Sequence, residues 1–88
     1  MTVPVTWSRQ AGRAVQEDLP NAVAAAVIEF VLGPLADNPE RVGKRLGPPL
    51  EGLHVARRGA FRVIYRIAQD RSGVHVVAVR HRRDAYRS

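Results

Sequence analysis

The chain has 88 residues, 45% of them apolar, and no cysteine; that suffices for one domain with a sheet and a few helices and excludes disulfides, thiolate metal sites and a cysteine nucleophile. Its net charge of +6 is unevenly spread, with two Lys/Arg against five acids in residues 1–40 and twelve against three in residues 41–88. Such polarity suits a polyanion, phosphate backbone above all, although on charge alone a soluble protein with surplus basic surface is an equal reading.

No run approaches the roughly 20 apolar residues of a membrane span, and the opening MTVPVTWSRQ lacks the basic start and apolar core of a signal peptide. A cytoplasmic protein is therefore expected.

In TVPVTW, Val3, Val5 and Trp7 alternate and predict a short first strand, with Pro4 favouring a sheet edge. Ser8 can cap a helix whose stripe is Ala11, Ala14, Val15 and Leu19. The strongest helical signal follows in DLPNAVAAAVIEFVLGPL, where Asp18 or Asn21 could cap and Val23, Val27, Phe30 and Val31 form one stripe. Ala24, Ile28 and Leu32 widen it, which predicts a helix covered over much of its girth. Gly33-Pro34 ends or kinks it, and Asn38-Pro39 marks a turn.

Residues 40–52, ERVGKRLGPPLEG, read as a loop with Arg41, Lys44 and Arg45. GLHVAR, FRVIYRIA and GVHVVAVRH then predict three strands joined by turns at Arg58-Gly59-Ala60 and Asp70-Arg71-Ser72-Gly73. The fold class is α+β: two N-terminal helices packed on one face of a small, mainly antiparallel sheet of about four strands. In FRVIYRI, Phe61, Val63, Tyr65 and Ile67 point one way and Arg62, Ile64 and Arg66 the other. If the apolar set meets the helices, Arg62 and Arg66 line the open face.

The inventory of reactive groups is one-sided. It offers no paired acids, no HExxH, no GxGxxG and no P-loop lysine, so neither metal nor cofactor is implied. Arginine, histidine and tyrosine remain, a set suited to a phosphodiester that brings its own nucleophile, as RNA does with its 2′-hydroxyl. Such cleavage needs a base, cations around the phosphorus and an acid for the departing oxygen. Arginine forks suit the second task, and packed cations can draw a tyrosine hydroxyl down to usable basicity.

The segment LEGLHVARRGAFRVIYRI and the tail VAVRHRRDAYRS, set after two helices and the loop GPLADNPERVGKRL, resemble the RelE/ParE superfamily of bacterial toxins, especially actinobacterial RelE-like members. The resemblance spans nearly the whole chain and implies a RelE-like domain over residues 1–88, acting on messenger RNA in the ribosomal A site. It makes Arg62 a transition-state clamp, Tyr86 the base, and Arg82 a stabiliser or acid, with Arg83 competing for the place of Arg82. His81 is the better acid by chemistry, because a guanidinium does not release its proton. Lys44, Arg45, His54, Arg57, Arg58, Arg66, Arg83 and Arg87 are candidates for RNA or ribosome contact. Val55 stands where relatives often carry a basic residue, and His54 serves in its stead only if the register slips by one.

The resemblance further implies a RelB-like antitoxin and a ribosome carrying message as partners. An alternative is a ParE-like inhibitor of DNA gyrase that acts by protein contact. Beside these stand plainer readings: a lone Arg62 as a solvated strand arginine, Tyr86 as a surface packing residue, Lys44 and Arg45 as a solvated loop, Tyr65 as core, His75 as structural and Trp7 as a staple.

Overall fold

The structure, a computed structural model, describes residues 2–81. Strand β1 (Val5–Trp7) runs into Ser8, whose hydroxyl accepts from the Ala11 N–H at 3.1 Å and starts helix α1 (Arg9–Arg13). The same hydroxyl donates to the Val77 carbonyl at 2.6 Å. The helix opens into a wider π-turn over Ala14–Asp18, closed by the Leu19 N–H on the Ala14 carbonyl, and Pro20 ends it.

Helix α2 (Asn21–Phe30) begins at Pro20 with no side-chain cap, so neither Asp18 nor Asn21 serves in that role. Past Phe30 it continues as a second π-turn, Val31–Leu35, around Pro34. A proline lacks an N–H and crowds the preceding turn, and the wider turn accommodates both defects without ending the helix. Val27, Phe30, Val31 and Leu35 are buried. The expectation that Ile28 and Leu32 are covered too is overturned, since they are 38% and 52% exposed. Two helices on one side of a sheet leave their outer flanks to solvent, and no further layer exists among the described residues to cover them.

Asn38-Pro39 opens one more helical turn, α3 (Pro39–Val42), with the proline at its first position. The expected loop then contributes a two-residue strand, β2 (Lys44–Arg45). The three long strands are β3 (His54–Arg58), β4 (Phe61–Ile67) and β5 (Val74–His81). The sheet therefore has five strands, one more than expected, in the order β1-β5-β4-β3-β2; β1 is parallel to β5 and every other pairing is antiparallel. Gly59 takes a φ of +55° in the tight turn between β3 and β4, a conformation costly for any side chain with a Cβ.

The core lies between the helices and one face of this sheet. Phe61, Val63 and Tyr65 of β4, Val74, Val76 and Val79 of β5, and Ala56 of β3 meet Ala11, Ala14, Val27, Phe30, Val31 and Leu35. Phe30 and Phe61 pack edge to face with ring centroids 6.2 Å apart. Tyr65 is fully buried as read from sequence, and its hydroxyl donates to the Pro39 carbonyl at 2.5 Å. Burial pushes that hydroxyl up to about 12. Gly43 passes so close to the Tyr65 ring that a Cβ there would collide with the hydroxyl oxygen, which ties α3 and β2 to the core.

A bulge decides which way the end of β5 faces. Ile64 pairs with Ala78 but Tyr65 with Val76, so Val77 is an extra residue and its carbonyl is taken by the Ser8 hydroxyl. Gln10 secures the strand two residues on, its side chain accepting from the Val79 N–H and donating to the Val79 carbonyl. On either side of the bulge the alternation changes phase, so Val74, Val76 and Val79 all reach the core. Among the described residues no helix is long and apolar enough to cross a membrane.

Candidate nucleic-acid interface

With both helices on one side, the described residues leave the opposite face of the sheet uncovered. In an antiparallel ladder residues directly opposite share a face, and the register brings Arg57 of β3 opposite Arg62 of β4, and Arg62 opposite Arg80 of β5. All three are exposed. Three guanidinium-bearing residues thus cross three adjacent strands in one row, at spacings of roughly 4.8 Å between strands.

The next row is apolar in the middle: Lys44 opposite Val55, Val55 opposite Ile64, Ile64 opposite Ala78. Beyond it Arg66 faces His75, which faces Thr6, and the Thr6 hydroxyl and His75 Nδ1 lie 2.8 Å apart. Lys44, Arg57, Arg62, Arg66 and Arg80 consequently share one surface around a small apolar floor. Among the described residues none of the five is ion-paired; the two ion pairs are Arg13–Glu17 and Arg71–Glu40, elsewhere on the molecule. Five cations with, among the described residues, neither an ion pair nor an acid on their face suit an anion, and a planar guanidinium is the side chain that grips two phosphate oxygens together.

The other sequence candidates lie apart from this row. His54 pairs with Tyr65 and stacks on its ring, centroids 5.4 Å apart and planes 25° from parallel, on the helix side of the sheet. The register does not slip to bring it beside Arg62. Its Nδ1 is buried without a hydrogen-bond partner among the described residues, and burial, then repulsion from Arg45, holds its pKa below the usual histidine value despite Glu40. It borders a cleft of about 550 Å³ with Glu40, Arg45, Gln69 and Arg71. Arg45, opposite His54, faces that side as well. Arg58 shares the side of Phe61 and sets its guanidinium 4.8 Å above the Phe30 ring. His81 also pairs with Phe61, which puts it on the far side of the sheet from Arg62 and Arg80.

Arg82, Arg83, Tyr86 and Arg87 lie outside the described residues. Arg80 is the residue the sequence reading missed, and Lys44, read as loop, takes part in the sheet. No group of three His, Asp or Glu side chains converges on a possible metal site among the described residues.

The chain belongs to the family described as ParE toxin of type II toxin-antitoxin systems, whose model it matches over residues 5–86. Among its relatives, Toxin RelE of Mycobacterium tuberculosis is 48% identical over 94% of this chain and 84% of its own. The toxin-antitoxin complex RelBE2 from Mycobacterium tuberculosis contains a chain 39% identical, matched at a TM-score of 0.87 over 93% of both. The archaeal RelE-RelB complex from Pyrococcus horikoshii matches at a TM-score of 0.70 and 26% identity over the full length of both chains.

Proposed function

We propose that this toxin is a ribosome-dependent endoribonuclease that cleaves messenger RNA in the ribosomal A site and so halts translation. The observation that carries the reading is the row Arg57–Arg62–Arg80, which among the described residues is neither ion-paired nor covered, on the sheet face away from the helices. Charge builds on the phosphoryl oxygens as a 2′-hydroxyl attacks, and preorganised guanidinium groups stabilise that charge more than they stabilise the ground state. Arg62, central in the row, is the clamp. The family resemblance assigns Tyr86 as base and Arg82 or Arg83 as the tail cation. His81 is less suited to the acid role than its chemistry suggested, because Phe61, its partner across the ladder, faces the core.

The ribosome supplies what the face lacks. Holding the 2′-hydroxyl in line with the leaving oxygen is an entropic task, and the decoding site that already grips the message performs it. Free RNA is therefore a poor substrate, and the site of action is the cytoplasm. Relatives whose structures are toxin-antitoxin complexes support a RelB-like antitoxin here, with an acidic segment lying over the basic face.

The test is a cell-free translation reaction in which message 5′ ends are mapped. Cuts within codons on ribosome-bound message, absent from naked RNA and lost in Arg62→Ala and Tyr86→Phe, are expected. Intact messages with inhibited DNA gyrase would move the assignment to the ParE-like mode.

A further inference from the structure

We propose that Arg80 binds the phosphodiester flanking the one held by Arg62, so that the row is a track for two consecutive phosphates of the message strand; this rests on the ribonuclease reading above. Two adjacent guanidinium forks can already occupy the oxygens of one phosphate. A third, one more strand away, extends the row to a span of roughly 9.6 Å from β3 to β5, wider than a single phosphate group.

The pairing is unfavourable in the free protein. Like charges directly opposite on neighbouring strands repel, and Arg62 meets one on each side, Arg57 and Arg80, with no acid beside them among the described residues. The β5 bulge is what turns Arg80 outward: an unbroken alternation from Val74 and Val76 would direct it to the helix side. The fold thus spends an irregularity, secured by Ser8 and Gln10, and aims a third cation at its neighbours. A polyanion spanning the row removes that repulsion. Arg80 is in this view a positioning residue, acting on where the strand lies and not on the bond that breaks. Its place next to the tail that carries Arg82, Arg83 and Tyr86 puts it on the β5 side of the clamp.

The test uses the full-length protein with Arg80→Thr and Arg80→Lys. The first probe is a 2′-O-methylated single-stranded oligoribonucleotide, uncleavable because its nucleophile is masked. Across a salt series, Arg80→Thr should lower the slope of log affinity against log salt by about 0.7, the value for one single-strand phosphate contact, and Arg80→Lys should restore it. On ribosomes carrying message, Arg80→Thr should raise KM about fivefold to tenfold and leave kcat within about twofold. An unchanged salt slope overturns the proposal, as does a fall in kcat at constant KM, which would put Arg80 on the reacting phosphate. If the wild type fails to cut ribosome-bound message, the ribonuclease reading falls, while the oligonucleotide slope still decides whether Arg80 holds a phosphate.

Discussion

Tyr65 and Gly43 show how tightly single residues are specified. The Tyr65 hydroxyl reaches the Pro39 carbonyl across the path of Gly43; Gly43 itself has an ordinary extended backbone, so its constraint is contact alone. Gly43→Ala should destabilise the protein by about 1–3 kcal/mol in urea titration. Tyr65→Phe should cost about 0.5–1.5 kcal/mol and make Gly43→Ala cheaper, and strict additivity in the double variant would show that the two do not meet. His54 gives a pH dependence of known sign. Its folded pKa lies below the usual value because burial disfavours the charged ring, so the unfolded chain takes up the proton first and stability falls as pH drops through the histidine range. His54→Phe keeps the stack on Tyr65 and should flatten the urea midpoint between about pH 7 and about pH 5; an unaltered slope would assign the effect elsewhere. Tyr65 as core and Arg62 as outward were both legible from alternation. That His54 faces away from Arg62 was legible too, and the register left it there.

At the scale of elements, the helices and long strands were readable because their apolar periods are strong, and the order of helices before the meander put them on one side. Two short pieces were not. Helix α3 and strand β2 span four and two residues, too few for any period, and depend on contacts with the Tyr65 ring and with β3. The role of Arg80 was hidden for a different reason. VHVVAVRH counted in twos from Val74 sends Arg80 to the core side, and only the bulge at Val77 reverses it. Ser8 caps α1 and also takes the bulge carbonyl, so Ser8→Ala should cost about 1–2 kcal/mol, toward the upper end for a cap; a loss below about 0.5 kcal/mol would mean that water replaces both bonds. The central row makes the opposite prediction. Arg62→Thr removes two cross-strand repulsions and should raise the thermal midpoint at low salt by a few degrees, an increment of about 0.5–1 kcal/mol, even as it removes the clamp. A lower midpoint would show that the row is not strained.

For the whole molecule, the division seen in the charge count is a division between layers: an acidic helical half, and a sheet whose free face is basic. Composition alone could not separate a phosphate-binding face from surplus surface charge; the register favours the first, by bringing cations from β2, β3, β4 and β5 onto one side with no acid among the described residues. The same face is the proposed seat of the antitoxin. Reversing the charge of Arg62, Arg82 and Arg83 together should weaken that complex at least about tenfold, since close interfacial charge pairs couple by about 1.5 kcal/mol or more, and normal binding would place the antitoxin elsewhere. The most direct measurement of the central claim is single-turnover cleavage of message on programmed ribosomes by wild type and by Arg62→Ala at saturating toxin. A guanidinium that stabilises the transition state predicts a loss of about 10²–10³-fold in the chemical step with the fold intact. A rate within about threefold of wild type would contradict it.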